Sequence, residues 1–179
     1  VISEFWSAAK EEMDFLREAA NMETFSKNNE NVVFVASPKL YSELTTAQVL
    51  VMEYIDGYSV SDTHTLEQEG YDLVEIGEKL ADNYVRQIMQ DGFFHADPHP
   101  GNLRIRGGKI VWLDMGMMGR LTPRDKSLIA KAVKAIARGN NSELVDVILA
   151  LGIFHGKPNR SRLYTGIEGL MTCYGTLDI

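Results

Sequence analysis

Cysteine and long apolar runs are scarce in this chain of 179 residues. Its one cysteine, Cys173, excludes an intrachain disulfide, and we expect it to be a small buried apolar residue in a reducing compartment. The first residues lack the paired basic and hydrophobic regions of a signal peptide, so none is expected. The longest apolar run, residues 147–154, is shorter than the roughly 20 residues that cross a bilayer. Any membrane anchor is therefore expected outside this chain.

Positive charge is also limited. The chain has 18 lysines and arginines against 25 aspartates and glutamates, which gives a net charge of −7 and a pI near 5.1. It has no stripe of basic residues that would neutralise a phosphate backbone, so no nucleic-acid partner is expected. The apolar share of 45% is ordinary for a globular protein, and the length suits one domain or part of a larger one.

The most informative stretch runs from residue 93 to residue 116. Asp97 and Asn102 lie five positions apart in a loop that two prolines stiffen by fixing φ. Asp114 follows a short strand-turn-strand pattern and opens the tripeptide Asp-Met-Gly. This order and spacing match the protein-kinase pattern H-R-D-x-x-x-x-N followed by D-F-G.

Phosphoryl transfer explains the residue types at these positions. One carboxylate, here Asp97, orients or deprotonates the attacking oxygen, and further oxygen ligands, here Asn102 and Asp114, hold Mg²⁺ against the phosphates. Gly116 is expected to supply a turn with positive φ. In the alternative interpretation the acid and the amide only cap turns in a hairpin, but three motifs in this order favour a phosphoryl-transfer site.

The motif H-A-D-P-H-P-G-N at residues 95–102, followed by L-D-M-G at residues 113–116, closely resembles the UbiB/ADCK-type atypical kinases. That group is linked to the metabolism of ubiquinone and other isoprenoid quinones. Two further segments resemble the same family: E-M-D at residues 12–14 with the helix after it, and the strand and hinge at residues 49–57. The resemblance covers about residues 11–138.

This resemblance implies an α+β, protein-kinase-like fold of which part is present. Residues 1–57 would form the end of an N-lobe, with an αC-type helix, two strands and a hinge. Residues 58–179 would form a helical C-lobe with the catalytic and metal-binding loops. The Gly-rich strands and the phosphate-binding lysine of such a fold would precede Val1, so we expect the chain to be a fragment.

The resemblance also implies cofactors and site roles, with ATP and Mg²⁺ as the ligands. Asp97 would be the catalytic or water-positioning acid, and Glu18 would pair with the missing lysine. Glu12 and Asp14 would face the nucleotide, although the residues alone indicate a charged helix face. The hinge would meet the adenine edge, with Met52 at the gatekeeper position, whereas the residues alone suit an edge strand equally well. The hinge residues are Met52, Glu53, Tyr54 and Ile55.

Two departures from ordinary protein kinases lie inside the loop. Ala96 stands where the H-R-D arginine would be, and His99 replaces the usual lysine. His99 is expected to act in catalysis by donating a hydrogen bond to a phosphate oxygen, and His95 is expected to be structural. A site with nitrogen ligands in His-x-Asp-x-His is the less favoured alternative, because Mg²⁺ prefers oxygen.

The phosphoryl acceptor is not expected to be a protein. A helix with Thr122 as N-cap and Pro123 at its first position follows soon after Asp-Met-Gly, which leaves no room for a long activation segment ending in A-P-E. Small molecules, lipids or water remain as acceptors. By resemblance, the parent protein would bind a lipid or an isoprenoid-quinone precursor. It would lie peripheral to a membrane, on the cytoplasmic or organellar matrix side.

Two other functions stay open at this point. A small-molecule phosphotransferase of the aminoglycoside or choline kinase type shares the H-x-D-x-x-x-x-N layout. A pseudokinase scaffold would bind ATP without turnover.

Periodicity predicts the remaining elements. Helices are expected at residues 3–27, 61–69, 71–90, 123–138, 144–151 and 161–173, and strands at residues 31–36 and 48–52.

Overall fold

The structure is a computed structural model that describes residues 14–154 and 156–174. The chain divides into two compact units, Val1–Arg120 and Leu121–Ile179. The lobe boundary expected at residue 57 is a different division, based on kinase organisation, and it stays a prediction.

Helix α1 spans Phe15–Asn28 and begins where Asp14 caps it. The Asp14 carboxylate accepts a hydrogen bond from the Leu16 N–H at 3.1 Å, and its backbone is extended (φ −101°, ψ 92°). The prediction of an unbroken helix over residues 3–27 is therefore wrong at Asp14, because an N-cap residue has non-helical dihedral angles. The helix is confirmed from Phe15 onward, and residues 3–13 lie outside the described part of the chain.

The strands predicted after α1 are shorter than expected. Strand β1 covers Val35–Ala36 only, since the Val35 N–H donates to the Val32 carbonyl in a turn. Residues 48–52 make isolated bridges, Leu40 with Met52 and Thr46 with Val49, instead of a strand. A 3₁₀ turn at Ser42–Leu44 interrupts the partner segment, and a ladder needs a continuous partner whatever the β-propensity of its residues.

A four-stranded sheet in the order β1-β5-β4-β2 lies in the first unit. Its other strands are β2 (Tyr58–Ser59), β4 (Leu103–Arg106) and β5 (Lys109–Trp112). Strands β4 and β5 form the predicted antiparallel hairpin, and Gly107 and Gly108 turn it with φ of 56° and 76°. Because Leu103 pairs with Trp112, the residues just outside the hairpin, Asn102 and Leu113, lie side by side.

Aromatic rings fill the centre of the first unit around Trp112, which is fully buried. The ring centroids of Phe25 and Tyr84 lie 6.1 Å from that of Trp112, and His95 lies at 5.3 Å. His95 itself is fully buried, so its predicted structural position is confirmed. The core thus packs α1 and the β4–β5 hairpin against the residue that opens the catalytic loop.

The predicted helices before the loop are confirmed as α2 (Thr63–Gln68) and α3 (Leu73–Arg86). Helix α3 continues as a π-helix at Gln87–Asp91 and ends at Gly92, which is left-handed with φ 63°. Strand β3 (Phe93–His95) then pairs antiparallel with β6 (Met118–Arg120).

The second unit contains helices α4 (Pro123–Ala137), α5 (Asn141–Leu151) and α6 (Arg160–Tyr174). Thr122 caps α4 as predicted, in a capping box with Asp125. The expectation of a buried thiol is wrong, because Cys173 is exposed on α6. Within the described residues, the helices are too short or too polar for any of them to cross a membrane.

Candidate active site

The loop that follows β3 is fixed by hydrogen bonds to its own backbone. The Asp97 N–H donates to Nδ1 of His95 at 3.2 Å, and the Asp97 carbonyl accepts from the His99 N–H at 2.8 Å. His99 then caps a 3₁₀ turn at Pro100–Asn102, where its Nδ1 accepts from the Gly101 N–H. These bonds hold the loop in one conformation and leave the Asp97 side chain partly exposed.

Asn102 joins this loop to the segment that carries Asp114. Its Nδ2 donates to the Asp97 carbonyl at 3.2 Å, and its backbone carbonyl accepts from the Leu113 N–H at 2.8 Å. The side chain is 7% exposed. The bond from Nδ2 fixes the amide orientation, so Oδ1 is the atom that can serve as an oxygen ligand. Asn102 therefore joins the Asp97 loop to Leu113, the residue before Asp114.

Asp114 has a left-handed backbone, with φ of 50°. The prediction that Gly116 carries the positive φ is wrong, because the left-handed conformation falls on Asp114, two residues earlier. The Asp114 Oδ1 accepts from the Gly116 N–H at 3.2 Å, which is the local side-chain bond that lets aspartate tolerate this region. A Cβ at position 116 would lie 3.1 Å from that oxygen. Glycine is therefore favoured at this position because a side chain would be crowded, and not because of its φ.

Two side chains of helix α1 hydrogen-bond to the backbone of Met115. Glu18 accepts a hydrogen bond from the Met115 N–H, and Asn21 Nδ2 donates to the Met115 carbonyl at 2.9 Å. Arg120 completes this contact by donating to Asn21 Oδ1 at 3.4 Å. The buried Asn21 was missed from the sequence, because a single asparagine on a helix gives no sign of its partner.

Burial is the largest cause that raises the pKa of Glu18, and the negative charge of Asp114 raises it further, against the opposing hydrogen bond from Met115. Two acids are thus held close together at the end of the β4–β5 hairpin. Carboxylates kept together against their repulsion are typical of sites that receive a cation or a cationic side chain.

Glu18→Gln is expected to raise the midpoint of urea unfolding at neutral pH. The change removes a carboxylate that is partly buried beside Asp114, while the amide oxygen can still accept from Met115. Since the folded pKa is raised, the stability that Glu18 contributes is fully present below its unfolded pKa of about 4.3 and is lost as pH rises through the folded value. The variant's advantage should therefore vanish below about pH 4.

Urea unfolding over a pH series measures this difference, with Glu23→Gln as the control. Glu23 is an exposed residue of the same helix. Equal midpoints for Glu18→Gln and the control at every pH would contradict the prediction.

The predicted hinge is an extended segment that lines a cavity of about 620 Å³. Ile55 is buried in it, whereas Met52 and Tyr54 are exposed. The Glu53 carboxylate accepts from the Lys39 N–H at 3.1 Å and from Arg106 at 2.9 Å, and these bonds, in that order, lower its pKa. The Glu53 side chain is therefore engaged, and its N–H donates to the Lys39 carbonyl at 2.8 Å, so a role in nucleotide contact would use its carbonyl.

A second cavity, of about 340 Å³, lies beside Asp114. Its lining includes Asp14, Glu18 and Gly116. Leu113 lines the hinge cavity and Asp114 lines this one, so both cavities border the same short segment. The structure thus brings Asp14 and Glu18 to Asp114. Glu12 lies outside the described residues.

His99 is exposed, and its Nε2 lies 3.6 Å from Asp97 Oδ2. This distance places the ring next to the acid without a direct hydrogen bond.

The oxygen atoms present suit Mg²⁺ bound together with phosphates. Among the residues that the structure describes, no three His, Cys, Asp or Glu side chains form a metal centre by themselves. Mg²⁺ is commonly held by one or two carboxylates and by substrate phosphates, with the remaining positions filled by water. Asp114 and the Asn102 amide oxygen supply ligands of this kind.

The order of elements, with an acid and an amide on one loop and a second acid on the segment bonded to it, defines a protein-kinase-like fold. A solved structure from Mycobacterium tuberculosis, described as a complex of Rv3197 with erythromycin, agrees with this fold at a TM-score of 0.69 and 22% identity. The match covers 98% of this chain and 44% of that one. The expected α+β kinase-like fold is confirmed.

The chain belongs to the ABC1 atypical kinase-like domain family, whose model matches residues 1–148. It is 40% identical to a Clostridium pasteurianum protein named for the hydrogenase 1 5' region, over 99% of this chain and 34% of that protein. It is 34% identical to ACTIVITY OF BC1 COMPLEX KINASE 8, chloroplastic, of Arabidopsis thaliana, over 86% of this chain and 20% of that protein. The chain therefore spans about a third or less of these relatives, and the resemblance to UbiB/ADCK-type kinases is confirmed.

Proposed function

We propose that this chain is part of a longer atypical kinase or ATPase that binds Mg-ATP and moves its γ-phosphoryl group. The observation that supports this most is that Asn102 hydrogen-bonds both to Asp97 and to Leu113, the residue before Asp114. Phosphoryl transfer depends on positioning and on charge stabilisation, and a preformed set of oxygen ligands supplies both.

Each residue has a distinct role in this proposal. Asp97 orients or deprotonates the attacking oxygen, and His99 beside it donates to a phosphate oxygen. Asn102 and Asp114 hold Mg²⁺, which neutralises the charge on the phosphates. Glu18 pairs with a lysine from a part of the protein outside this chain.

The nucleotide is expected in the two cavities along Leu113 and Asp114. The hinge segment at residues 52–55 would meet the adenine through backbone groups. Asp14 and Glu18 would lie on the phosphate side, near Asp114, and Glu12 would join them from the segment before α1.

The short connection after Asp114 supports a small acceptor. Strand β6 begins at Met118 and pairs with β3, and α4 begins at Pro123, so no long segment is present to dock a peptide. Water, a lipid or an isoprenoid-quinone precursor are the acceptors we favour. The link to isoprenoid-quinone metabolism, and to a membrane reached through other segments of the protein, comes from the family resemblance.

The test follows labelled γ-phosphate from Mg-ATP in the whole protein that contains this chain, with and without lipid vesicles. Release of inorganic phosphate that lipid stimulates would support an ATPase coupled to membrane chemistry. Transfer of label to a soluble alcohol or aminoglycoside would instead favour a small-molecule phosphotransferase. Tight nucleotide binding without loss of the γ-phosphate would overturn the proposal in favour of a pseudokinase scaffold.

A further inference from the structure

A row of polar side chains crosses the core of the first unit, where apolar residues are the rule. Asn83, Gln87 and His95 are fully buried, and Asn29 is 5% exposed. Buried polar groups cost free energy unless they are hydrogen-bonded, so each member of this row is expected to have a hydrogen-bond partner.

These side chains form one chain of hydrogen bonds with a single direction. Starting from the catalytic loop, the His95 N–H donates to Gln87 Oε1 at 3.0 Å, and Gln87 Nε2 donates to Asn83 Oδ1 at 2.8 Å. Asn83 Nδ2 donates to Asn29 Oδ1 at 2.8 Å, and Asn29 Nδ2 donates to the Phe25 carbonyl at 3.0 Å. Bonds aligned head to tail polarise one another, and this chain ends on a carbonyl in the last turn of α1.

The row bonds to the backbone N–H of His95, and the ring of the same residue bonds to the two segments that carry the candidate acids. Its Nδ1 accepts from the Asp97 N–H, so the hydrogen of the neutral ring is on Nε2. Nε2 then donates to the Leu113 carbonyl at 3.1 Å, one residue before Asp114. A tilt of this ring would therefore displace Asp97 and Asp114 together.

A change in the helix geometry at the end of α3 places Gln87 against His95. Helix α3 changes into a π-helix at Gln87, and the left-handed Gly92 turns the chain back into β3. Single π-helical turns within longer helices are frequent at functional sites. The Tyr84 hydroxyl adds a second bond from α3 by donating to the His95 carbonyl at 3.0 Å.

We propose that Asn29, Asn83 and Gln87 are positioning residues that fix the backbone of His95 and, through the His95 ring, Asp97 and the Leu113–Asp114 segment. The row ends in the last turn of α1, and the same helix contacts the backbone of Met115 through Glu18 and Asn21. Helix α1 thus reaches the site at two points, and a shift of the helix is passed to both acids. The effect on turnover rests on the proposed function, whereas the effect on geometry does not.

The test compares Gln87→Met with Leu66→Ala in the whole protein. Methionine keeps the length of the side chain and removes both of its hydrogen bonds. Leu66 is fully buried in the same unit and makes none of the bonds of the row, so its truncation lowers stability without changing them. Asn29→Ala, which breaks the row at its far end, serves if Gln87→Met does not fold.

Two readouts follow the geometry without any substrate. We expect the Asp97 amide to exchange its hydrogen at least about tenfold faster in Gln87→Met than in Leu66→Ala at matched global stability. We also expect the ¹⁵N chemical shifts of the His95 ring to differ from those of a ring whose hydrogen is on Nε2. Turnover of Mg-ATP should fall about 10- to 100-fold in kcat with KM nearly unchanged.

Equal amide exchange and equal His95 signals in the two variants would overturn the inference and leave Gln87 a structural residue. If exchange and signals change as expected, but the wild-type protein shows no turnover of Mg-ATP, the positioning role stands and the proposed function fails.

Discussion

Asp114→Asn is expected to reduce turnover of Mg-ATP at least about a hundredfold while leaving the fold intact. In the proposed function the negative charge of Asp114 binds Mg²⁺, and an amide cannot replace that charge. Asparagine should nevertheless keep the backbone conformation of this residue, because φ is 50° and asparagine enters the left-handed region as readily as aspartate. The free energy of unfolding should therefore stay within about 0.5 kcal/mol of the wild-type value.

Asp114→Ala and Asp114→Gly separate the backbone from the charge. Alanine should cost about 1–2 kcal/mol of unfolding free energy, because its Cβ disfavours the left-handed region, whereas glycine should avoid this steric cost. Both should lose turnover as Asp114→Asn does. Urea unfolding and phosphate release from Mg-ATP measure the two effects, and turnover that survives in Asp114→Asn would refute the role of this residue as a ligand.

Much of the first unit could be predicted because its signals are local. Apolar runs with proline and glycine in the turns between them identified the β4–β5 hairpin, and in the second unit a threonine before a proline identified the start of α4. The motif from His95 to Gly116 identified the family, because the spacing between an acid and an amide on one loop can be read directly from the sequence.

The errors fall where tertiary partners decide the structure. Residues 48–52 have the propensity of a strand, but their partner segment is broken by a 3₁₀ turn. Positive φ was assigned to Gly116 by residue type, whereas the hydrogen bonds of the segment place it on Asp114. Asn21 and Gln87 were overlooked because each is an ordinary polar residue until a backbone group outside its own helix is known to lie against it.

These overlooked residues share a feature that bears on function. Each amide hydrogen-bonds to the backbone of another segment: Asn21 to Met115, beside Asp114, and Gln87 to His95, two residues before Asp97. A site built in this way has its acids on short loops, while its precision comes from helices α1 and α3 behind them. Such backing is what a preorganised site needs, because loops alone position side chains poorly.

Asp97→Asn should separate catalysis from binding, in contrast to Asp114→Asn. Asp97 is held by its backbone, through His95, His99 and Asn102, so its carboxylate is not required for the loop to form. We expect kcat to fall about 10²- to 10⁴-fold, the range typical of a lost general base, with nucleotide affinity within a few-fold of wild type. Single-turnover measurements and titration with Mg-ATP give the two quantities.

The matched control for Asp97→Asn is His99→Gln, which changes the neighbouring ring 3.6 Å from the carboxylate. In the proposed function Asp97 has the chemical role and His99 assists at a phosphate oxygen, so the loss in kcat should be much smaller in His99→Gln. A loss confined to nucleotide affinity in Asp97→Asn would show that this carboxylate binds the metal instead of the attacking group. Equal losses of kcat in the two variants would mean that the pair of side chains acts as one unit, because residues that function together lose activity together when either is removed.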